Sequence, residues 1–118
     1  MAAAPTSLII FDCDGVLVDS EPLAAACFSE ALAELGVMQT PQALDERFRG
    51  RRMADCLAQV AVWAGASLPP DFEARLARRT FLRFDAELKA VAGVNAVLAQ
   101  FAADPALHMC VASSGGLD

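Results

Sequence analysis

The chain has 118 residues, the length of one ordinary domain, with 56% apolar residues and a formal net charge of −6. That composition is enough for a packed core, much of it from alanine, and the acidic balance argues against non-specific nucleic-acid binding, where a basic face is expected. No apolar segment reaches the roughly 18–20 residues of a membrane helix, and Met1 to Ser7 has neither a basic n-region nor a long apolar h-region. Neither nucleic acid nor a membrane is therefore an expected partner, and the expected compartment is the cytoplasm.

In chain order, Leu8 to Phe11 form an unbroken apolar run, the pattern of a strand buried on both faces. At its end stand Asp12 and Asp14, one residue apart, followed by Gly15. Side chains at i and i+2 of an extended chain face the same way, and open α/β sheets bind ligands at the carboxyl ends of their strands. Two acids there make a concentrated negative site suited to a divalent metal, and Gly15 lets the backbone turn closely around it. Ser20 or Asp19 can cap a helix that has Glu21 and Pro22 in its first turn. Leu23, Cys27, Ala31 and Leu35 carry the apolar stripe of that helix, and Gly36 stops it.

A second helix is predicted from Pro41 to Phe48, a break at Arg49-Gly50-Arg51, and a third helix from Met53 to Trp63. After Gly65 and Pro69-Pro70 a long helix is predicted from Asp71 to Leu88, on which Arg75, Arg78, Arg79 and Arg83 read as a solvated face. From residue 89 onward the character changes. A short amphipathic helix from Asn95 to Ala103 and a turn at Asp104-Pro105 lead to a second buried-type strand, His108 to Ala112, which ends in Ser113-Ser114-Gly115-Gly116. Two strands joined through a helix suit a parallel βαβ unit. The expected fold class is α/β, with residues 1–16 and 88–118 forming the core and residues 17–87 a helical insertion.

Cys13, Cys27, Cys56 and Cys110 lack metal-ligand spacing and lie in mostly apolar surroundings, so buried free thiols in a reducing compartment are expected. A cysteine nucleophile would want a histidine partner, and the only histidine, His108, is far along the chain.

The stretch from Leu8 through Asp12-Cys13-Asp14-Gly15 to Asp19-Ser20-Glu21 resembles the signature of the haloacid dehalogenase (HAD) superfamily in its phosphatase form, in the subfamily with an α-helical cap. The resemblance implies a Rossmann-like core with a parallel sheet, of which the first strands are present, and an inserted helical-bundle cap hinged near Leu17-Val18 and Leu88–Val91. It makes Asp12 the nucleophile that becomes an aspartyl-phosphate, and Asp14 the general acid and then base. Mg²⁺ would be the cofactor, with Asp12 and Asp14 as ligands. Val111-Ala112-Ser113-Ser114-Gly115 is similar to the family's second motif. By that likeness the Ser113 hydroxyl and the backbone amides at Ser114 and Cys13 bind phosphoryl oxygens.

Phe48-Arg49-Gly50-Arg51-Arg52 resembles the cap segment that helps choose the substrate, which makes Arg49, Gly50 and Arg51, with neighbours Arg47 and Arg52, candidates to meet an anionic leaving group. Cap closure would exclude water from the site. Relatives usually carry Pro-Gly where this chain has Ala92-Gly93. Lys89 does not match the family's catalytic lysine, and Asp118 does not match its later acidic motif, so neither is assigned. The chain therefore reads as the N-terminal part of a longer enzyme, with one side of its sheet left open. The implied function is a Mg²⁺-dependent phosphatase acting on a small phosphorylated metabolite of the sugar-phosphate or phosphoglycolate type. A β-phosphoglucomutase-like mutase, or a non-catalytic interaction module, stay open as alternatives.

Overall fold

The computed structural model describes Pro5 and residues 7–114. Its elements are β1 (Ser7–Asp12), α1 (Glu21–Glu34), α2 (Pro41–Phe48), α3 (Met53–Ala64), α4 (Phe72–Glu87), α5 (Val94–Ala102) and β2 (Leu107–Ala112). The α/β class and the strand–helices–helix–strand order are as the sequence implies, with helix ends displaced by about one residue. Gly115, Gly116 and Asp118 lie outside the described residues. No helix among the described residues is long and apolar enough to cross a membrane. The chain forms two compact units: one takes the residues up to Ser20 and from Lys89 onward, the other Glu21–Leu88.

In the strand unit β1 and β2 pair in parallel, in register from Ser7↔Leu107 to Asp12↔Ala112. Helix α5 makes the crossover and packs on β2, with the Phe101 ring 6.4 Å from that of Phe11. Alternation puts Leu8 and Ile10 on the opposite face from Phe11, and there they are 59% and 62% exposed. The expected strand buried on both faces is therefore covered on one only. An apolar run permits burial on both faces, but only neighbouring elements can supply it. The correction is larger for β2, where every residue from His108 to Ala112 is exposed, Val111 beside Phe11 included. That strand also starts at Leu107, which places His108 inside it. Cys110, opposite Ile10 in the register, is an exposed thiol rather than a buried one; Cys27 and Cys56 are buried and Cys13 is half-buried.

Beyond β1 the chain folds into a tight turn. The Cys13 carbonyl accepts the amides of Val16, Leu17 and Val18 at 3.2, 2.9 and 3.3 Å, and the Gly15 amide returns to the Val18 carbonyl at 2.9 Å. Gly15 adopts φ 73°, a left-handed conformation that glycine takes at no steric cost. The Asp19 amide then donates to the Lys89 carbonyl at 2.8 Å and the Val91 amide to the Leu17 carbonyl at 3.0 Å. These bonds tie residues 17–20 to the strand unit, four residues beyond the expected break after residue 16.

The helical unit packs α1 against α2 and α4 around a core that includes Cys27 and Leu32 of α1, Leu44 of α2, Val60 of α3 and Leu76 of α4. Thr40 caps α2, its hydroxyl accepting the Ala43 amide at 3.1 Å, with Pro41 at the first helical position. The arginines of α4 are not simply solvated. Arg79 pairs with Glu34, and Arg83 with Glu30 at 2.9 Å and with Glu87 at 3.1 Å. Glu30 and Glu34 are one turn apart on α1, as Arg79 and Arg83 are on α4, so packing the two helices side by side aligns acids with bases. The Glu30 hydrogen bond and charge raise the Arg83 guanidinium above its ordinary pKa.

Candidate functional site

Because β1 and β2 are parallel, their carboxyl ends lie side by side. The register pairs Asp12 with Ala112, so Asp12 ends one strand next to the point where Ser113 and Ser114 leave the other. Asp12 and Asp14 are both exposed, and neither makes an ion pair with any described residue. Each carboxylate is nevertheless fixed by the chain around it. Asp12 Oδ1 accepts the Cys13 amide at 2.9 Å, so that amide orients the carboxylate beside it. Asp14 Oδ1 accepts the Ser20 hydroxyl at 2.9 Å. The residues expected at the strand ends (Asp12, Cys13, Asp14, Ser113 and Ser114) are thus gathered within the strand unit.

The sequence places Ser20 within the signature stretch but gives it no role beside Asp14. Lying directly before Glu21, it reads as a helix cap, and nothing local shows that its proton goes to Asp14.

The arginine-rich segment belongs to the helical unit. Phe48 is buried, with its ring centroid 5.7 Å from that of Phe28 and 5.6 Å from that of Trp63. This aromatic stack anchors the end of α2 and the residues that follow it. Arg47 lies over Trp63, its guanidinium 5.2 Å from the ring centroid, a cation–π contact. Arg49 pairs with Asp45, whose hydrogen bond and charge raise the guanidinium above its ordinary pKa. Arg52 forms a two-pronged contact with Asp55 at 3.0 and 3.3 Å. Arg51 is exposed and makes no ion pair with the described residues.

Four candidate cations therefore reduce to one that is uncommitted. Gly50 has φ +73° with open space where a Cβ would stand, so backbone conformation, not crowding, is what requires glycine. Burial pushes the Cys56 thiol up, against a smaller opposing pull from Arg51.

The model of the haloacid dehalogenase-like hydrolases matches residues 9–116. The chain belongs to that family. Among curated relatives, this HAD chain is 32% identical over 108 residues to the 6-phosphogluconate phosphatase of Escherichia coli K12, an alignment that covers 91% of the chain and 47% of the relative. A HAD-like protein of unknown function from Agrobacterium tumefaciens C58 superposes with a TM-score of 0.81 at 32% identity, over 95% of this chain and 49% of that one. A HAD family hydrolase from Deinococcus radiodurans R1, solved with bound phosphate and sodium, gives a TM-score of 0.72 at 29% identity, over 97% and 49%. The chain spans about half the length of these relatives.

Proposed function

We propose that the protein is a Mg²⁺-dependent phosphatase that hydrolyses a small phosphorylated metabolite, of the sugar-phosphate or phosphoglycolate type, through an aspartyl-phosphate on Asp12. The observation that carries this reading is the juxtaposition of Asp12 and Asp14 at the end of β1 with Ser113 at the end of the parallel β2. It is supported by the likeness to a 6-phosphogluconate phosphatase and to a hydrolase that binds phosphate.

In this mechanism the Asp12 carboxylate attacks phosphorus while Asp14 gives a proton to the departing ester oxygen. Asp14 then takes a proton from the water that hydrolyses the acyl phosphate. Ser113, with the Ser114 amide, holds a phosphoryl oxygen in place, since phosphoryl transfer depends mostly on positioning and charge stabilisation. The Cys13 amide keeps the nucleophile oriented.

Hard carboxylate oxygens suit Mg²⁺, which is usually held by one or two carboxylates together with waters and substrate phosphate oxygens. Asp12 and Asp14 fit that pattern; no group of three or more potential ligands is gathered among the described residues. When bound, the ion would supply neutralisation of the phosphoryl charge. The helical unit would serve as the cap, with Arg51 as the cation available to an anionic leaving group. Free cysteines throughout the chain accord with a reducing, cytoplasmic setting.

Phosphate release from a panel of sugar phosphates, measured with and without Mg²⁺ on the protein as its cell makes it, tests the proposal. Replacing the nucleophile, Asp12→Asn, is expected to lower turnover by at least about a thousandfold while leaving the helical content unchanged. Turnover near wild type would overturn the assignment, and accumulation of an isomer in place of free phosphate would show a mutase.

A further inference from the structure

A helix that packs on one side carries one apolar stripe, turned inward, and keeps polar and charged residues on the other side. Helix α4 has two such stripes. Phe72 and Leu76 belong to the core of the helical unit and are buried. On the outer side Phe81 and Leu82 are 59% and 60% exposed, flanked by Arg78 and Asp85. Residues 78, 81, 82 and 85 stand at i, i+3, i+4 and i+7, so they share one face of the helix, and all four are exposed. The Phe81 ring meets that of Phe84 edge-on, with centroids 6.4 Å apart, which props it in place. Apolar side chains gathered on an exposed face in this way mark a contact surface.

The charges decide what fits it. Arg78 and Asp85 make no ion pair with any described residue, whereas Arg79 and Arg83 are paired with Glu34 and Glu30 of α1. They are also placed symmetrically. The midpoint of the stripe falls between Phe81 and Leu82, and at 1.5 Å per residue Arg78 and Asp85 lie about 5 Å along the axis on either side of it. A second α4 laid antiparallel across that midpoint, related by a two-fold axis, brings each Arg78 level with the partner's Asp85. The Phe81 and Leu82 side chains of both copies then meet in the middle. Such a patch is complementary to itself, as an isologous two-fold contact requires.

The helix also suits the approach of two copies of an acidic chain. It carries four arginines against Glu73, Asp85 and Glu87, a positive balance in a chain whose net charge is −6. Beside Leu82 an open groove of about 860 Å³, bordered by Arg78 and by Glu30 and Glu34 of α1, leaves room for the partner's side chains.

We infer that the outer face of α4 is the docking surface for a second copy of this chain, which closes an antiparallel dimer on Phe81 and Leu82 with two Arg78–Asp85 pairs. One helix of 16 residues from each copy makes a small interface, so the dimer is weak, with a dissociation constant on the order of 10 μM. Its charge pairs are reached by solvent, and association weakens as salt rises. None of these four residues belongs to the candidate catalytic site, so the dimer is independent of the phosphatase reading.

Sedimentation equilibrium of the protein as its cell makes it tests the dimer, with circular dichroism confirming that each variant keeps its helices. The wild type should pass from monomer to dimer, and no further, as concentration rises. Arg78→Asp and Asp85→Arg each set like charges opposite one another twice per dimer, and should weaken association at least about tenfold. Mixed in equal amounts, the two variants present opposite charges at both pairs and should associate at least as tightly as the wild type. The double variant Arg78→Asp/Asp85→Arg should recover association as well. Phe81→Ser removes the apolar centre and should weaken the dimer about tenfold or more. A wild type that stays monomeric at every concentration would leave this face to a different partner and overturn the inference. So would assembly beyond the dimer, association that the single reversals leave unchanged, or reversed variants that stay apart when mixed.

Discussion

The helical unit and the strand unit divide the work of the molecule unevenly. Among the described residues every buried hydrophobic side chain lies in the helical unit, from Cys27 to Leu76. The strand unit carries the two carboxylates and the serines, yet its buried residue is the polar Ser20, and the apolar Leu8 and Ile10 are largely exposed. The buried core and the candidate catalytic residues are thus lodged in different parts of one chain. Substitutions in the helical unit should act on folding, and those at the strand ends on reaction.

The largest expected contrast is between Leu32→Ala and Ile10→Ala. Leu32 is fully buried, and truncating it should destabilise the helical unit by about 3 kcal/mol through lost burial and a cavity. Ile10 is exposed on the uncovered face, and its truncation should stay within about 0.5 kcal/mol. Urea unfolding followed by fluorescence of Trp63, the single tryptophan, reads the first directly, and circular dichroism covers both. Comparable losses at the two sites would erase the division between the units.

A smaller contrast lies within the arginine segment. Arg51→Ala is expected to raise KM for an anionic substrate about tenfold, the scale of one charge-assisted contact of about 1.4 kcal/mol. Arg49→Ala should leave KM unchanged and lower stability only slightly, since its partner is Asp45 four residues away on the helical surface. Steady-state kinetics beside thermal melts separate the two outcomes, and a KM effect at Arg49 alone would reverse the assignment.

Gly50→Ala probes the backbone beneath that segment. With open space around the position and φ at +73°, the cost should be strain alone, about 1 kcal/mol. A larger loss would mean that the segment is packed against something a methyl group cannot share.

The smallest effect is one of pH. Burial raises the Cys56 thiol, so the folded state keeps this proton to a higher pH than the unfolded chain does. The associated stability is present below the ordinary thiol value of about 8.5 and is lost as pH rises through the raised value. Unfolding midpoints should therefore fall on the alkaline side of that value in the wild type, and the fall should be shallower in Cys56→Ala. Parallel pH profiles for the two proteins would show that another group is responsible.

The sequence by itself determined the elements and which residues stand at the strand ends. Hydrophobic period, the Thr40-Pro41 cap and the break at Gly50 are local, and so is the placing of Asp12, Asp14 and Ser113 after apolar strands, because backbone conformation and short-range bonds are set by adjacent residues. What only the tertiary structure decided are the partnerships between residues. It covered one face of β1 and left Leu8, Ile10 and Cys110 exposed. It turned the α4 arginines into a seam with α1. It laid Arg47 over Trp63, and it directed the Ser20 proton to Asp14. A side chain's chemistry is written in the sequence, but the atom it faces depends on where packing brings the chain, and for the buried Ser20 hydroxyl burial makes a partner obligatory.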